Sequence, residues 1–450
     1  MYIILKIVNK MKKLLFNILW LVFDKIFILL LQFFVGVKIA NYYGATLFGQ
    51  YSYAISLVAF SNIFFELINS RVLKKYYTKE NFNILVFNTN FFKNSIAIIL
   101  FFIPIIYKFF YKIDNTLFYL LILLCLDNIL MTATSGIENF FEYKLEAKRI
   151  VISNNIVKII SYFLQYICMI LNKGIIFIAI VRCIGSLIRV IILKYQYNSS
   201  YLGKLENKSV KLDIKLIVKI IDESKYLWFS FVSFLIYTQT DRLMINHYLG
   251  VEEVGVYTIG MQLSNILAIL IGPIQNSLFP KFLELYRNDY QKYYNFYKLT
   301  NTIITQFYLI ITLISIIVVK YTFKYVYSSQ YDGAILIYSI LAFSVFIKAN
   351  GSLQTSHMTI KNITKKSFYK TLVSLILNII LNILLIPKYG INGAAIATLI
   401  TQFIALFLID FFIKEYQEQA IIQLKSLNLI YLIKEIKKYL KKEHSCIIKK

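Results

Sequence analysis

The sequence predicts an all-α integral membrane protein of about twelve transmembrane helices in two six-helix lobes related by an internal repeat. Three observations carry that prediction. Hydrophobic residues make up 58% of the 450 residues and charged residues only 16%, a balance far from that of a soluble domain. Apolar runs of about 20 residues, each long enough to cross a bilayer, recur along the whole length. Finally, Lys38 to Leu57 aligns without a gap on Met244 to Leu263, which divides the chain nearly in half.

The spans fall at about 14–37, 50–69, 88–107, 116–137, 150–171 and 174–193 in the first half. In the second half they fall at about 226–248, 255–280, 300–319, 333–357, 367–386 and 391–412. Residues 1–196 then form the first lobe, 197–225 a basic amphipathic linker, 226–413 the second lobe and 414–450 a basic tail. The basic N-terminus leads into a long span without a small-residue cleavage site, as an uncleaved anchor does.

Alternate connectors hold 35 and 7 of the Lys and Arg residues. The positive-inside rule therefore places both termini in the cytoplasm of a cytoplasmic membrane. The net charge of +26 is dispersed among these short connectors, which argues against nucleic acid as a partner. Two basic stretches are amphipathic and suited to an anionic leaflet. In one, Lys211, Lys215 and Lys219 oppose Ile214, Ile217, Val218 and Ile221; in the other, Leu429, Ile433, Ile436 and Leu440 oppose Lys434, Lys437, Lys438, Lys441 and Lys442.

The repeat carries Y-x-G-x4-G-x-Y in both halves: Tyr42, Gly44, Gly49 and Tyr51, then Tyr248, Gly250, Gly255 and Tyr257. Glycine at these positions permits a left-handed helix end and close approach of the next helix. Gly272-Pro273 should kink span eight. Pro387 is placed to end span eleven, and Gly390 and Gly393 to shape a tight turn before the small residues of span twelve.

Charges inside spans are the candidate functional residues, because burying one in lipid costs a few kcal/mol. Lys25, Arg182 and Lys348 lie near mid-span and Arg242 in the outer half of its span, so these four are expected to face a shared aqueous chamber. Lys93, Lys158 and Arg189 sit near cytoplasmic ends and are expected to snorkel. Asp24, Asp127 and Asp241 are candidates for cation coupling or for interhelical ion pairs. In-span cations outnumber acids, which suits an anionic substrate.

No P-loop, zinc-protease, nucleophile-elbow or dinucleotide motif occurs. Four dispersed cysteines and three isolated histidines suggest no metal site, and the chain is read as a non-enzyme without a cofactor.

Two blocks, Thr240 to Leu263 and Leu384 to Thr401, resemble the polysaccharide flippases of the O-antigen and capsule exporter type. That family shares a superfamily with the multidrug and toxic compound extrusion exporters. The resemblance implies a two-lobed, multidrug-and-toxin-extrusion-like bundle working by alternating access. It implies polyprenyl-diphosphate-linked oligosaccharide as substrate, carried from the inner to the outer leaflet for surface polysaccharide such as lipopolysaccharide or capsule, and other polysaccharide-assembly membrane proteins as partners. Two alternatives stand beside it. One is a cation-coupled drug or metabolite exporter on the same fold; the other is a membrane glycan polymerase.

Overall fold

The computed structural model describes residues 31, 33–78, 81–201, 212–361, 364–435 and 437. Among these the only regular structure is helical. The chain forms two compact units, Met1–Gln239 and Thr240–Lys450, so the division falls inside predicted span seven. Ten helices among the described residues are long and apolar enough to cross a membrane. Ten of the twelve predicted spans coincide with them. Of the other two, most of span one lies outside the described residues, as do Asp24 and Lys25. Span seven is helical, within Ile214–Leu249, but Asp241, Arg242 and their polar neighbours make it less apolar than the rest.

In the first unit, the run Phe33–Tyr76 passes through Gly44 at φ +74°, the left-handed conformation predicted for the first glycine of the motif. It continues through α1 (Ser70–Tyr76), whose first turn is capped by Asn69 accepting from the Arg71 amide at 3.0 Å. The remaining helices of interest are α2 (Phe82–Phe101), α3 (Asn115–Thr132), α4 (Ser135–Tyr143), α5 (Ala147–Ile170) and α6 (Ile175–Ser200). A core of Leu73, Phe82, Phe140, Leu193 and Tyr197 joins α1, α2, α4 and α6.

The linker departs from its prediction. Helix α7 (Ile214–Leu249) runs without interruption from the linker into span seven. Ile217 and Ile220 are buried in the same core, so this face is docked on protein rather than on a lipid surface. Ile214 and Val218 remain exposed; Lys211 lies outside the described residues.

The second unit contains α8 (Val251–Ala268), α9 (Ile271–Asn288), α10 (Tyr290–Val326), α11 (Gly333–Asn350), α12 (Ser352–Ile360), α13 (Thr364–Tyr389), α14 (Ile391–Leu406) and α15 (Gln417–Ser426). Gly250 precedes α8 at φ +94° and Gly390 precedes α14 at φ +61°. Gly49 and Gly255, the second glycines of the two motif copies, are both buried in helix. The break between α8 and α9 falls just before Gly272-Pro273. Pro273 has no amide hydrogen to offer the Ile269 carbonyl, so the helix is interrupted there. Gly272 meets no neighbour that a side chain would strike, so it serves the bend and not close packing.

Pro387 does not end its helix. It sits in the last turn of α13, which runs on to Tyr389, and Gly390 makes the stop. Gly393 explains the tight packing of α14 on α13. A Cβ there would lie 2.1 Å from the Leu385 carbonyl oxygen, and a backbone atom cannot yield. Gly393→Ala should therefore destabilise the unit by about 1–3 kcal/mol, read as a fall in the amount of detergent-stable protein; wild-type stability would refute this packing account.

The tail also differs from its prediction. Its first helix, α15, has Ala420, Ile422, Gln423 and Ser426 buried. Gln306 donates to the Ser426 carbonyl at 2.7 Å, and Asn301 to the Ser426 hydroxyl at 3.3 Å. Residues 417–426 are thus part of the lobe, not a free basic extension. Leu429 and Ile433 are exposed, whereas Ile436, Lys438 and the residues after it lie outside the described residues.

Candidate functional site

A polar cluster sits inside each unit, and in both the closing tyrosine of the repeated motif takes part. In the first unit Asp127 on α3 faces Arg182 and Ser186 on α6. These two are one helical turn apart and so share a face. Arg182 Nε donates to Asp127 Oδ2 at 2.8 Å, and the Ser186 hydroxyl donates to Oδ1. Tyr51 hydrogen-bonds Arg182. The Asp127 side chain is 3% exposed and that of Arg182 42% exposed. The structure thus brings two of the predicted site residues together, as an interhelical ion pair with one buried and one open end.

Arg189, one turn beyond Ser186, does not snorkel. It is buried and ion-paired with Glu138 on α4, and its Nε donates to Asn154 on α5 at 2.8 Å. Lys93 is also buried. These cations lie near the span end, but polar side chains on facing helices satisfy or attract them, so the interior offers more than the water surface does.

In the second unit Asp241 on α7 is buried among neutral donors. Its Oδ1 accepts from Asn382 at 2.7 Å and from Asn378 at 3.4 Å. Its Oδ2 accepts from the Tyr257 hydroxyl at 2.7 Å and the Thr398 hydroxyl at 2.7 Å. The side-chain oxygen of Asn382 is buried without a donor among the described residues. A carboxylate and a bare amide oxygen side by side, with two hydroxyls, are oxygen ligands of the kind that suit a proton or a small hard cation. The sequence reading named Asp241 but missed Tyr257, Asn378, Asn382 and Thr398. The signal for the asparagines was present: two amides four residues apart in an apolar span must share a face and find a partner.

Arg242 is half-buried on the same helix. Lys348 lies in the last turn of α11 and makes no hydrogen bond or ion pair among the described residues. The two cations stand on different helices, and Lys25 lies outside the described residues.

Another buried ion pair was counted as connector charge in the sequence. Lys370 on α13 pairs with Asp410, their side chains 8% and 0% exposed. Gln354 donates to Asp410 and accepts from Lys370 at 2.9 Å. His357 is held between the Tyr293 hydroxyl and Gln419, a satisfied core histidine.

These observations define a multi-pass membrane protein of two helical units, each enclosing a carboxylate in a polar cluster to which the repeated motif contributes a tyrosine. The fold is that of a chain described as the lipid II flippase MurJ in an inward closed conformation, with a TM-score of 0.69 at 16% identity over 95% of this chain and 93% of that one. It is also that of an outward-facing multidrug resistance transporter of the multidrug and toxic compound extrusion family, with a TM-score of 0.59 at 14% identity over 90% of this chain and 96% of that one.

The chain belongs to the family described as polysaccharide biosynthesis protein, whose model matches residues 14–286, so the resemblance read from the motifs holds. An uncharacterized membrane protein of Methanocaldococcus jannaschii is 25% identical over 251 residues, 54% of this chain and 49% of the relative. A second uncharacterized membrane protein of that organism is 45% identical over 78 residues, 17% of this chain and 19% of the relative. The chain thus spans about half the length of the first relative and a fifth of the second.

Proposed function

We propose that this protein is a flippase that carries a polyprenyl-diphosphate-linked oligosaccharide from the inner to the outer leaflet of the cytoplasmic membrane, by alternating access. One observation carries the reading. Arg182, in a membrane-spanning helix, is fixed at Nε by Asp127 yet remains 42% exposed. A guanidinium has five N–H donors in a rigid fork. Those that Asp127 and Tyr51 leave unused are pre-positioned for a diphosphate oxygen. Arg242 and Lys348 supply further positive charge within the second unit, and Asp241 couples export to a proton or monovalent cation. The polysaccharide description of the family and the flippase-like fold support the class of cargo.

The 35-to-7 distribution of Lys and Arg supports cytoplasmic termini, with Asp289 inside and Glu252 outside. A cation-coupled exporter of another cargo on this fold is the second reading, favoured by the Asp241 site alone.

Proteoliposomes containing the purified chain test the two. A labelled lipid-linked oligosaccharide should become accessible to an impermeant glycosidase on the opposite face only when the protein is present. Transfer at the protein-free rate would sink the flippase reading, and export of a small organic cation instead would favour the second one.

A further inference from the structure

A cleft of about 420 Å³ opens where α13 begins and the segment after α14 ends. The apolar spans Tyr369–Tyr389 and Ile391–Phe411 meet at the Gly390 turn and run back along each other. Their other ends therefore lie at one membrane boundary, and the cleft is there. Lys366, Lys370, Lys414 and Glu415 line it together with apolar residues that include Val373 and Phe412.

The lysines are not equivalent. Lys370 is consumed by Asp410 and Gln354 and serves as a neutralised wall. Lys366 pairs with Glu415, and that pairing holds the Glu415 carboxyl below its usual range, so the pair persists at neutral and mildly acid pH. Lys414 is exposed and makes no hydrogen bond or ion pair among the described residues. Two cations, Lys366 and Lys414, against one acid, Glu415, thus leave the mouth of the cleft net positive.

Two of the apolar lining residues are open. Phe412 is 85% exposed and Val373, two turns into α13 from Lys366, is 46% exposed. Cationic heads at a span boundary with bare apolar surface just deeper match a molecule that carries its own anionic head and apolar tail. A soluble anion would use only the lysines and leave Val373 and Phe412 uncovered. We propose that this cleft binds an anionic phospholipid, its phosphate on Lys414 and Lys366 and an acyl chain along Val373 and Phe412. The site is separate from both amphipathic stretches noted in the sequence, and it does not depend on what the protein transports.

The test uses the full chain in mixed micelles with phosphatidylglycerol or phosphatidylcholine, bound lipid being counted by native mass spectrometry. Phosphatidylglycerol should be retained preferentially. Lys414→Ala should weaken its retention about fivefold, the effect of one interfacial lysine. Glu415→Gln should strengthen it by releasing Lys366, and Lys320→Ala, a control on α10 that does not line the cleft, should change nothing. Phe412→Ser, on an exposed side chain that folding does not need, should weaken the lipid as well. Equal retention of the two lipids, wild-type retention in Lys414→Ala, or complete displacement by millimolar inorganic phosphate would overturn the proposal. The last outcome would identify a site for soluble anions instead.

Discussion

Replacing Arg182 with lysine should lower export per molecule by an order of magnitude or more, with protein abundance near that of the wild type. The charge would survive, so Asp127 would keep a counter-ion. What would be lost is the planar fork, which lets one guanidinium hold Asp127 through Nε at 2.8 Å and still present donors to a second anion. Arg182→Ala is a different experiment. It strands Asp127 at 3% exposure, and breaking a buried pair from one side costs about 3–5 kcal/mol. Abundance should then fall first, which makes the single alanine variant a poor test of transport. Removing both charges, as Asp127→Asn with Arg182→Ala, should restore abundance without restoring export. The measurement is surface polysaccharide normalised to membrane-inserted protein. If the double variant exports at the wild-type rate, the pair is scaffolding and the diphosphate grip is wrong.

Local backbone chemistry was legible in the sequence. Gly44, Gly250 and Gly390 adopt left-handed conformations because helix ends demand residues that reach them, and glycine is the cheapest. The break at Gly272-Pro273 was legible because a proline has no amide hydrogen for the carbonyl one turn back. Charge partners were not, because pairing is a property of neighbouring helices rather than of spacing along one of them. Asp127 and Arg182 stand on different helices, as do Lys370 and Asp410. Counting Lys370 as a cytoplasmic connector charge missed its partner, since position near a span end says nothing about what the facing helix offers. The surplus of in-span cations is correspondingly smaller than the sequence suggested, Arg182 and Arg189 both having acids across the bundle.

The linker and the start of the tail show the same limit from the apolar side. A stripe of Ile and Leu opposite lysines fits a lipid surface or a protein groove equally well by periodicity. Ile217 and Ile220 take the protein groove. Gln417–Ser426 carries few charges and several amides, and it settles against α10 through hydrogen bonds that no hydropathy scale registers.

Asp241→Asn should separate coupling from folding in the second unit. The carboxylate accepts from two amides and two hydroxyls. Asp241→Ala would orphan all four donors, at about 1–3 kcal/mol for each one left unsatisfied in the interior, and would be expected to remove most folded protein. Asparagine keeps the shape and one acceptor oxygen, and the Tyr257 and Thr398 hydroxyls can rotate to accept from its amide. Its cost to stability should therefore be about 1–2 kcal/mol, that of a hydrogen bond or two weakened. Its cost to coupling should be near total, because an amide neither binds a proton at physiological pH nor offers a cation a full negative charge. In proteoliposomes the wild-type transport rate should rise when a proton or sodium gradient is imposed, whereas Asp241→Asn should transport at the same slow rate with or without it. Asn382→Ala, which removes the unsatisfied amide oxygen while leaving the carboxylate, should weaken the response to sodium more than the response to protons, since only the metal ion needs the extra oxygen ligand. A variant at Asp241 that retains the full gradient response would place the coupling group elsewhere and leave this cluster as the anchor of α7 against α13 and α14.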